Sequence, residues 1–443
     1  MNVMGIDIGT TTISIVLMDK ATGTLLAGET VNHQSFLPGE VPEEKIQDAE
    51  RILAVTIEKV NDLIGTYGCP DGIGFTGQMH GMLYVDAEGN AVSPLYTWQD
   101  GRGNIPLENG KNSVELLKEK IENAGMLAAG YGLVTHYYLQ KKGRIPENAV
   151  KMTTISDYIV MKLCGLTSPV IGVDMAASWG CFDMEKREFR YADLEKAGVN
   201  ISYLPEVKKQ YGMAGKTLLG SIPEGIPVMV SIGDNQASFL GSVKELQDTV
   251  LINVGTGSQV SFVSENIVYC QGNMELRPCT DNSYLLVGAS LCGGRAYAML
   301  EQFYREVSGN MNDSYYGIMN QQAQEFIEKY GREAAWKVRT TFSGTRSNPE
   351  EKGQITNIGV ENFHPGAMTV GVMMGILDEL YQQYQMMSEL TGKKADHLVG
   401  SGNGIRRNPL MQKLAEEIFG LPMEIPSCQE EAACGAAASF FID

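Results

Sequence analysis

Two short stretches, far apart in the chain, limit what it can fold into more than any other feature. Met4-Gly5-Ile6-Asp7-Ile8 runs into Gly9-Thr10-Thr11-Thr12, and Thr249 to Val254 runs into Gly255-Thr256-Gly257-Ser258. Each is an apolar strand ending in a glycine turn lined with hydroxyls. Glycine lets backbone N–H groups come close to a bulky anion, and threonine hydroxyls add donors without adding charge. A pair of such turns predicts two jaws on one phosphate chain.

The surroundings of the two turns follow one pattern. Val3–Ile8 and Ile13–Met18 alternate in strand fashion, a polar turn covers 19–23, and Thr24–Ala27 completes a meander. Residues 43–64 then put Ile46, Ala49, Ile52, Leu53, Ile57, Val60 and Ile64 on one helical face, and a strand returns at 72–76. In the second half, 249–254, the glycine turn and 259–263 begin again in the same way. A chain of 443 residues is too long for one core. The predicted domains are 1–243 and 244–443, joined near 240–247 without a Pro- or Ser-rich linker, so they share a hinge. The last hundred residues read as helical, broken by a strand at 398–400 and the turn Gly400-Ser401-Gly402-Asn403-Gly404.

A net charge of −18 predicts a surface that repels nucleic acid and anionic lipid. A nucleotide can still bind, because turn amides and a cation act at contact range. The eight cysteines show no Cys-x-x-Cys and no paired histidines nearby, which argues against zinc. Asp7 interrupts any apolar leader and no run approaches the roughly 18 residues needed to cross a bilayer. The expected location is the cytoplasm, with reduced thiols.

Several residues invite a chemical reading beside a plain one. Asp7, two residues before the first turn, can hold a divalent cation, or can be a turn-forming aspartate. The loop Gln78-Met79-His80 and the segment Trp98-Gln99-Asp100-Gly101-Arg102 suit a polyhydroxylated ligand. His80 and Trp98 can equally be core, and Asp100 with Arg102 a local ion pair. Asp234 follows the apolar run 226–232, with Asn235 and small residues opening a helix; it is either a general base with room for a substrate hydroxyl or a helix N-cap. Met213-Ala214-Gly215-Lys216-Thr217 lacks the first glycine of a Walker loop and reads as a loop. Gly72-Ile73-Gly74-Phe75-Thr76-Gly77 spells G-x-G-x-x-G inside a strand, which disfavours a dinucleotide site.

Together these segments resemble the FGGY carbohydrate kinases, of the sugar kinase, Hsp70 and actin superfamily, over nearly the whole chain. The resemblance implies an α/β fold of two actin-like (ribonuclease H-like) ATPase domains with a cleft between them. It implies that Gly9, Thr10 and Thr11 and Gly255, Thr256 and Gly257 face ATP phosphates. Gly402, Asn403 and Gly404 with Asn408 look like the adenosine motif, 430–437 like the closing helix, and Asp234 like the catalytic aspartate. Sugar contacts fall to Gln78, Met79, His80, Trp98, Asp100, Asp234 and Asn235, and Mg²⁺ to Asp7. The N-terminal domain then carries sugar and phosphate sites and the C-terminal one the nucleotide. The chain is shorter than many members, and its adenosine turn, Gly-Ser-Gly-Asn-Gly-Ile-Arg-Arg-Asn, departs from a plain glycine triplet.

The implied reaction is ATP-dependent phosphorylation of a free ketose at its terminal hydroxyl. Trp98-Gln99-Asp100-Gly101-Arg102 points to sedoheptulose, with D-xylulose as the alternative. Asp234 would take the hydroxyl proton as the oxygen attacks the γ-phosphorus. The rival readings are a non-sugar actin-like ATPase and a sugar sensor. The expected partner is a small sugar, with no nucleic acid or membrane, and a homodimer is left open.

Overall fold

In the computed structural model, which describes residues 2–442 except 123, 271, 273, 346, 347 and 349, the predicted meander is present. β1 (Asn2–Ile8), β2 (Thr12–Asp19) and β3 (Leu25–Asn32) are antiparallel neighbours. β1 is covered on both faces, so it is apolar almost throughout, and only Asn2 and Asp7 are partly exposed. α1 (Ala49–Tyr67) starts later than its apolar spacing suggests. Ile46–Gln47 is a short strand, and Asp48 caps the helix by accepting from the Arg51 amide at 3.0 Å. Ile52, Leu53, Val60 and Leu63 of α1 join Met4, Ile6, Ile8, Ile13, Ile15 and Leu17 in one core.

β4 (Gly72–Gly77) lies parallel to β1, with Thr76 opposite Asp7. Its glycines serve packing rather than a nucleotide. A Cβ on Gly74 or Gly5 would fall on the carbonyl oxygen of Ala436 or Ala433, both in the closing helix Glu431–Ala438. After α2 (Ile155–Leu163) and α3 (Val173–Ala177) comes β5 (Met213–Lys216). This segment reads as a loop from sequence. It is a strand, antiparallel to β6 (Pro227–Met229), and its Gly215 leaves room for the Cys164 side chain. The run 226–232 is two strands rather than one, β6 and β7 (Ile232–Gly233), both beside β4. α4 (Asp234–Ser242) follows at once. The sheet order is β5-β6-β4-β1-β2-β3, with β7 also on β4. A further core around Trp179, Tyr137, Leu133 and Met82 supports the excursion that carries His80 and Trp98.

The second sheet repeats the scheme. β8 (Thr249–Val254) is antiparallel to β9 (Ser258–Ser264). β10 (Met274–Thr280), β11 (Ser283–Ser290), α5 (Gly294–Ser308), α6 (Pro365–Thr391), β12 (His397–Ser401), α7 (Pro409–Phe419) and β13 (Met423–Glu424) follow. β8 pairs parallel with β12, as β1 does with β4. The order is β10-β11-β9-β8-β12-β13.

The compact units are not consecutive halves. One comprises Met1–Gly241, Arg277–Asn282 and Cys428–Asp443, the other Ser242–Leu276 and Ser283–Ser427. They differ from 1–243 and 244–443 in that 277–282 and 428–443 go with the first unit and 242–243 with the second. The closing helix is made of small residues that fit glycines of the first unit, including Gly241, whose missing Cβ leaves space for the Glu431 carbonyl. The expectation of reduced thiols is corrected at one pair: Cys428 and Cys434 form a disulfide, while the other six cysteines are in no disulfide. Among the described residues no helix is long and apolar enough to cross a membrane.

Candidate active site

The first glycine turn is held through its carbonyls. His33 Nε2 lies 3.3 Å from the Gly9 oxygen, Gln47 Nε2 donates to that of Thr10 at 2.7 Å, and the His33 amide donates to that of Thr11 at 3.3 Å. The amides and hydroxyls of the turn are the groups left for an anion. The Thr10 hydroxyl accepts from the indole of Trp98 at 2.9 Å.

Asp7 stands just before this turn. Its Oδ1 is buried and meets no hydrogen-bond partner, and its acidity is weakened, the pKa rising to about 7 through burial first and then the charges of Asp234 and Glu430. Glu430 in turn accepts from the Ser14 hydroxyl at 2.7 Å. An orphaned carboxylate oxygen among like charges fits a divalent cation. Among the described residues no three ligating side chains converge, so Asp7 would hold Mg²⁺ together with water and phosphate oxygens.

Asp234 opens α4, at the junction that the sequence suggests. Its Oδ1 accepts from Asn235 Nδ2 at 2.8 Å; burial raises its pKa, opposed by the Arg277 charge and by the Asn235 hydrogen bonds. The junction is fixed by two carboxylates not foreseen from sequence. Asp174 Oδ2 accepts the Gly233 amide at 2.7 Å and its Oδ1 the Met175 amide at 2.9 Å. Asp157 accepts from the Ser231 hydroxyl and from Thr154 Oγ1, the latter at 2.7 Å. Burial is the leading cause that moves both up to about 7.

Gln78 is buried, donates to Gln47 Oε1 at 3.0 Å, and leaves its own Oε1 without a partner. Met79 is buried with its sulfur 3.8 Å from Asn235 Nδ2. His80 has φ of 73°, Nδ1 lies 2.6 Å from the Ser178 carbonyl, and the ring stacks on Tyr131 at 4.3 Å. Non-glycine backbone in this region is strained and needs such support. Trp98 is 47% exposed. Asp100 is in the local ion pair that its sequence neighbourhood allows: Oδ1 accepts from Arg102 Nε at 2.6 Å, and Oδ2 from Arg102 Nη2 at 2.9 Å and the Lys45 amide at 3.0 Å. With Arg102 also 4.4 Å from the Tyr96 ring, this buried pair shapes the loop that presents Trp98.

In the second unit the turn Gly255-Thr256-Gly257 is held by the start of α5, a contact missed from sequence. The Gly294 amide donates to the Gly255 carbonyl and that of Arg295 to Thr256, each at 2.9 Å. The Gly293-Gly294 pair after Cys292 is the signal that could have revealed it. Gly402, with φ of 78°, and Gly404 press against Val254, and Asn403 opens the short helix Asn403–Arg406. Parallel pairing of β8 with β12 thus brings these two turns together; Asn253 donates to Ser401 Oγ at 2.8 Å. Asn408 caps α7 through the Met411 amide at 3.1 Å and donates to Asn320 at 3.2 Å. A cavity of about 860 Å³ between Trp336, Val338, Thr341, Gln354 and Asp378 of this unit includes none of the predicted site residues.

The profile described as the FGGY family of carbohydrate kinases, N-terminal domain, matches residues 2–241, and the corresponding C-terminal domain matches 250–441. A sedoheptulokinase of Mus musculus is 29% identical over 98% of this chain and 96% of its own. A xylulose kinase of Staphylococcus xylosus is 24% identical over 98% of this chain and 89% of its own. The xylulose kinase structure from Rhodospirillum rubrum superposes with a TM-score of 0.86 at 18% identity, covering 100% of this chain and 90% of that one. With both family domains present and nearly the whole length accounted for, this chain is a member of the FGGY family of carbohydrate kinases.

Proposed function

We propose that the protein transfers the γ-phosphoryl group of ATP to the terminal hydroxyl of sedoheptulose, giving sedoheptulose 7-phosphate and ADP. The similarity to the mouse sedoheptulokinase over nearly full length supports this substrate. The observation that carries the chemistry is Asp234: a half-buried carboxylate at the head of α4, its backbone junction pinned by Asp174, and accepting from the side-chain amide of Asn235, which lies beside the sulfur of Met79.

Asp234 accepts the proton of the terminal hydroxyl as that oxygen forms its bond to the γ-phosphorus, and the bond to the bridging oxygen of ADP breaks. Gln78, through its unpartnered Oε1, accepts from a sugar hydroxyl, and Met79, His80, Trp98, Asp100 and Asn235 shape or line the sugar site. The turns at Gly9, Thr10 and Thr11 and at Gly255, Thr256 and Gly257 each take phosphate oxygens, and Gly402, Asn403, Gly404 and Asn408 serve the adenosine. Asp7 would hold Mg²⁺, which when bound would neutralise phosphate charge. The reading places the protein in the cytoplasm.

An ADP-release assay over sedoheptulose, D-xylulose, ribulose and glycerol tests this. Dependence on sedoheptulose is expected. Preference for D-xylulose would move the substrate, and ATP turnover indifferent to every sugar would end the reading. Asp234→Ala should lower turnover about a hundredfold to ten-thousandfold while ATP affinity holds.

A further inference from the structure

Gln47 carries no role foreseen from sequence, yet its side chain touches two residues that do, Thr10 and Gln78. It lies on the short strand Ile46–Gln47, which pairs antiparallel with Phe36–Leu37 on one side and Leu95–Tyr96 on the other. The next residue, Asp48, caps α1. Backbone secured in this way gives the side chain a rigid mount, and Gln47 is fully buried. Its carboxamide bridges two neighbours. Nε2 donates to the Thr10 carbonyl at 2.7 Å, and Oε1 accepts from Gln78 Nε2 at 3.0 Å.

The direction of this relay is forced by its first member. A main-chain carbonyl can only accept, so the Gln47 atom that faces Thr10 has to be the nitrogen. The Gln47 oxygen is then what Gln78 meets, and Gln78 has to answer with its own nitrogen. Turning the Gln78 amide over would set two oxygens against each other. Gln78 is therefore left with Oε1 as its unpartnered end. Its main chain is fixed as well, the amide donating to the Ile8 carbonyl at 2.9 Å. A buried acceptor without a partner is costly, and a substrate hydroxyl, which has a proton to give, is a group that relieves it. At the other end of the relay the Thr10 carbonyl is held beside those of Gly9 and Thr11, which meet His33.

We propose that Gln47 is a positioning residue for both substrates: through Thr10 it fixes the turn that takes phosphate, and through Gln78 it presents the sugar with an acceptor rather than a donor. The inference rests on the sugar and phosphate sites proposed above. It adds to them a residue that touches neither substrate and that spends one neutral group on both.

The test is a double-mutant cycle of Gln47→Met, Gln78→Met and the pair, with the KM for the best sugar measured at saturating Mg-ATP and the KM for ATP at saturating sugar. Methionine keeps the reach of glutamine and removes its hydrogen bonds. Gln47→Met should raise both KM values about fivefold, and Gln78→Met should raise that for sugar about tenfold. With Gln78 gone its orientation no longer matters. Adding Gln47→Met to Gln78→Met should then leave the sugar KM within about twofold while still raising the ATP KM about fivefold. A side chain that only packs cannot produce that split. Unchanged KM values in Gln47→Met, or the same losses in both backgrounds, overturn the proposal. Should Gln47→Met show no melting transition by circular dichroism, Gln47→Asn, which has the same groups set one methylene short of their partners, carries the same prediction. Failure of the underlying sugar site looks different: a Gln78→Met enzyme with the sugar KM of wild type removes Gln78 from that site and overturns the proposal for that reason, whereas a raised sugar KM there with no coupling to Gln47 removes Gln47 alone.

Discussion

The indole N–H of Trp98 donates to the hydroxyl of Thr10 at 2.9 Å, joining residues 88 positions apart. Thr10 also gives its carbonyl to Gln47, whose Oε1 accepts from Gln78. The loop proposed to hold sugar and the turn proposed to hold phosphate thus share one polar chain. Trp98→Phe keeps a ring and deletes the donor. A loss of about 1 kcal/mol, or about fivefold in kcat/KM for ATP, is expected, with little change in melting temperature because the side chain is half-exposed. Kinetics with ATP varied at fixed sugar measure it, and an unchanged value would show that the bond does nothing for the turn.

Gly435→Ala puts a methyl group onto the Ala237 carbonyl, and Gly74→Ala does the same to that of Ala436. Both obstacles are main chain and cannot rotate away. Each substitution should destabilise by about 1–3 kcal/mol or more. Thermal unfolding followed by circular dichroism would register this as a clear drop, and an unmoved transition would contradict the described packing.

Gly294→Ala tests the support of the second turn. Its Cβ would meet the Gly255 carbonyl that the Gly294 amide now holds. The turn must shift, and if it takes phosphate oxygens the KM for ATP should rise about tenfold while the KM for sugar stays. Equal KM values for the variant and the parent would detach this turn from the nucleotide.

Stability should depend on pH through Asp7, Asp157 and Asp174, each raised from 3.8 to about 7. A carboxyl whose pKa is higher in the folded state favours folding when protonated. The advantage is complete below pH 3.8 and is lost as pH rises through about 7. Without Mg²⁺ the protein should therefore melt lower at pH 8 than at pH 5.5. Asp157→Asn, whose partners are hydroxyls able to reorient, should flatten that slope. A steeper fall in the variant would rule out this origin.

The strand-and-turn segments were legible because they are local: Asp7, Asp234 and the glycine turns sit where short-range patterning puts them. What sequence hid is long-range. Asp174 reads as an ordinary helical aspartate until Gly233 is seen donating to it from 59 residues away. The short run of small residues at 432–438, alanine and glycine around Cys434, looks like a weak helix, and the bare faces of Gly5 and Gly74 explain it. Met213–Lys216 looks like a loop because a strand with glycine at its centre loses its apolar alternation. Asp100 and Arg102 satisfied both readings from spacing alone, and their bidentate geometry is what distinguishes an ion pair from a ligand.

A ribosome delivers this polypeptide from residue 1 onward, and the segments 277–282 and 428–443 emerge long after residue 241. Until then β1 and β4 have no cover for their glycine face, and Gln236 lacks the Pro278 carbonyl that its side chain holds. The nascent first unit must wait with that flank wet, which makes it dependent on later synthesis and exposed to holdase chaperones in the interval. Expressing residues 1–241 alone would release this unfinished body rather than a domain.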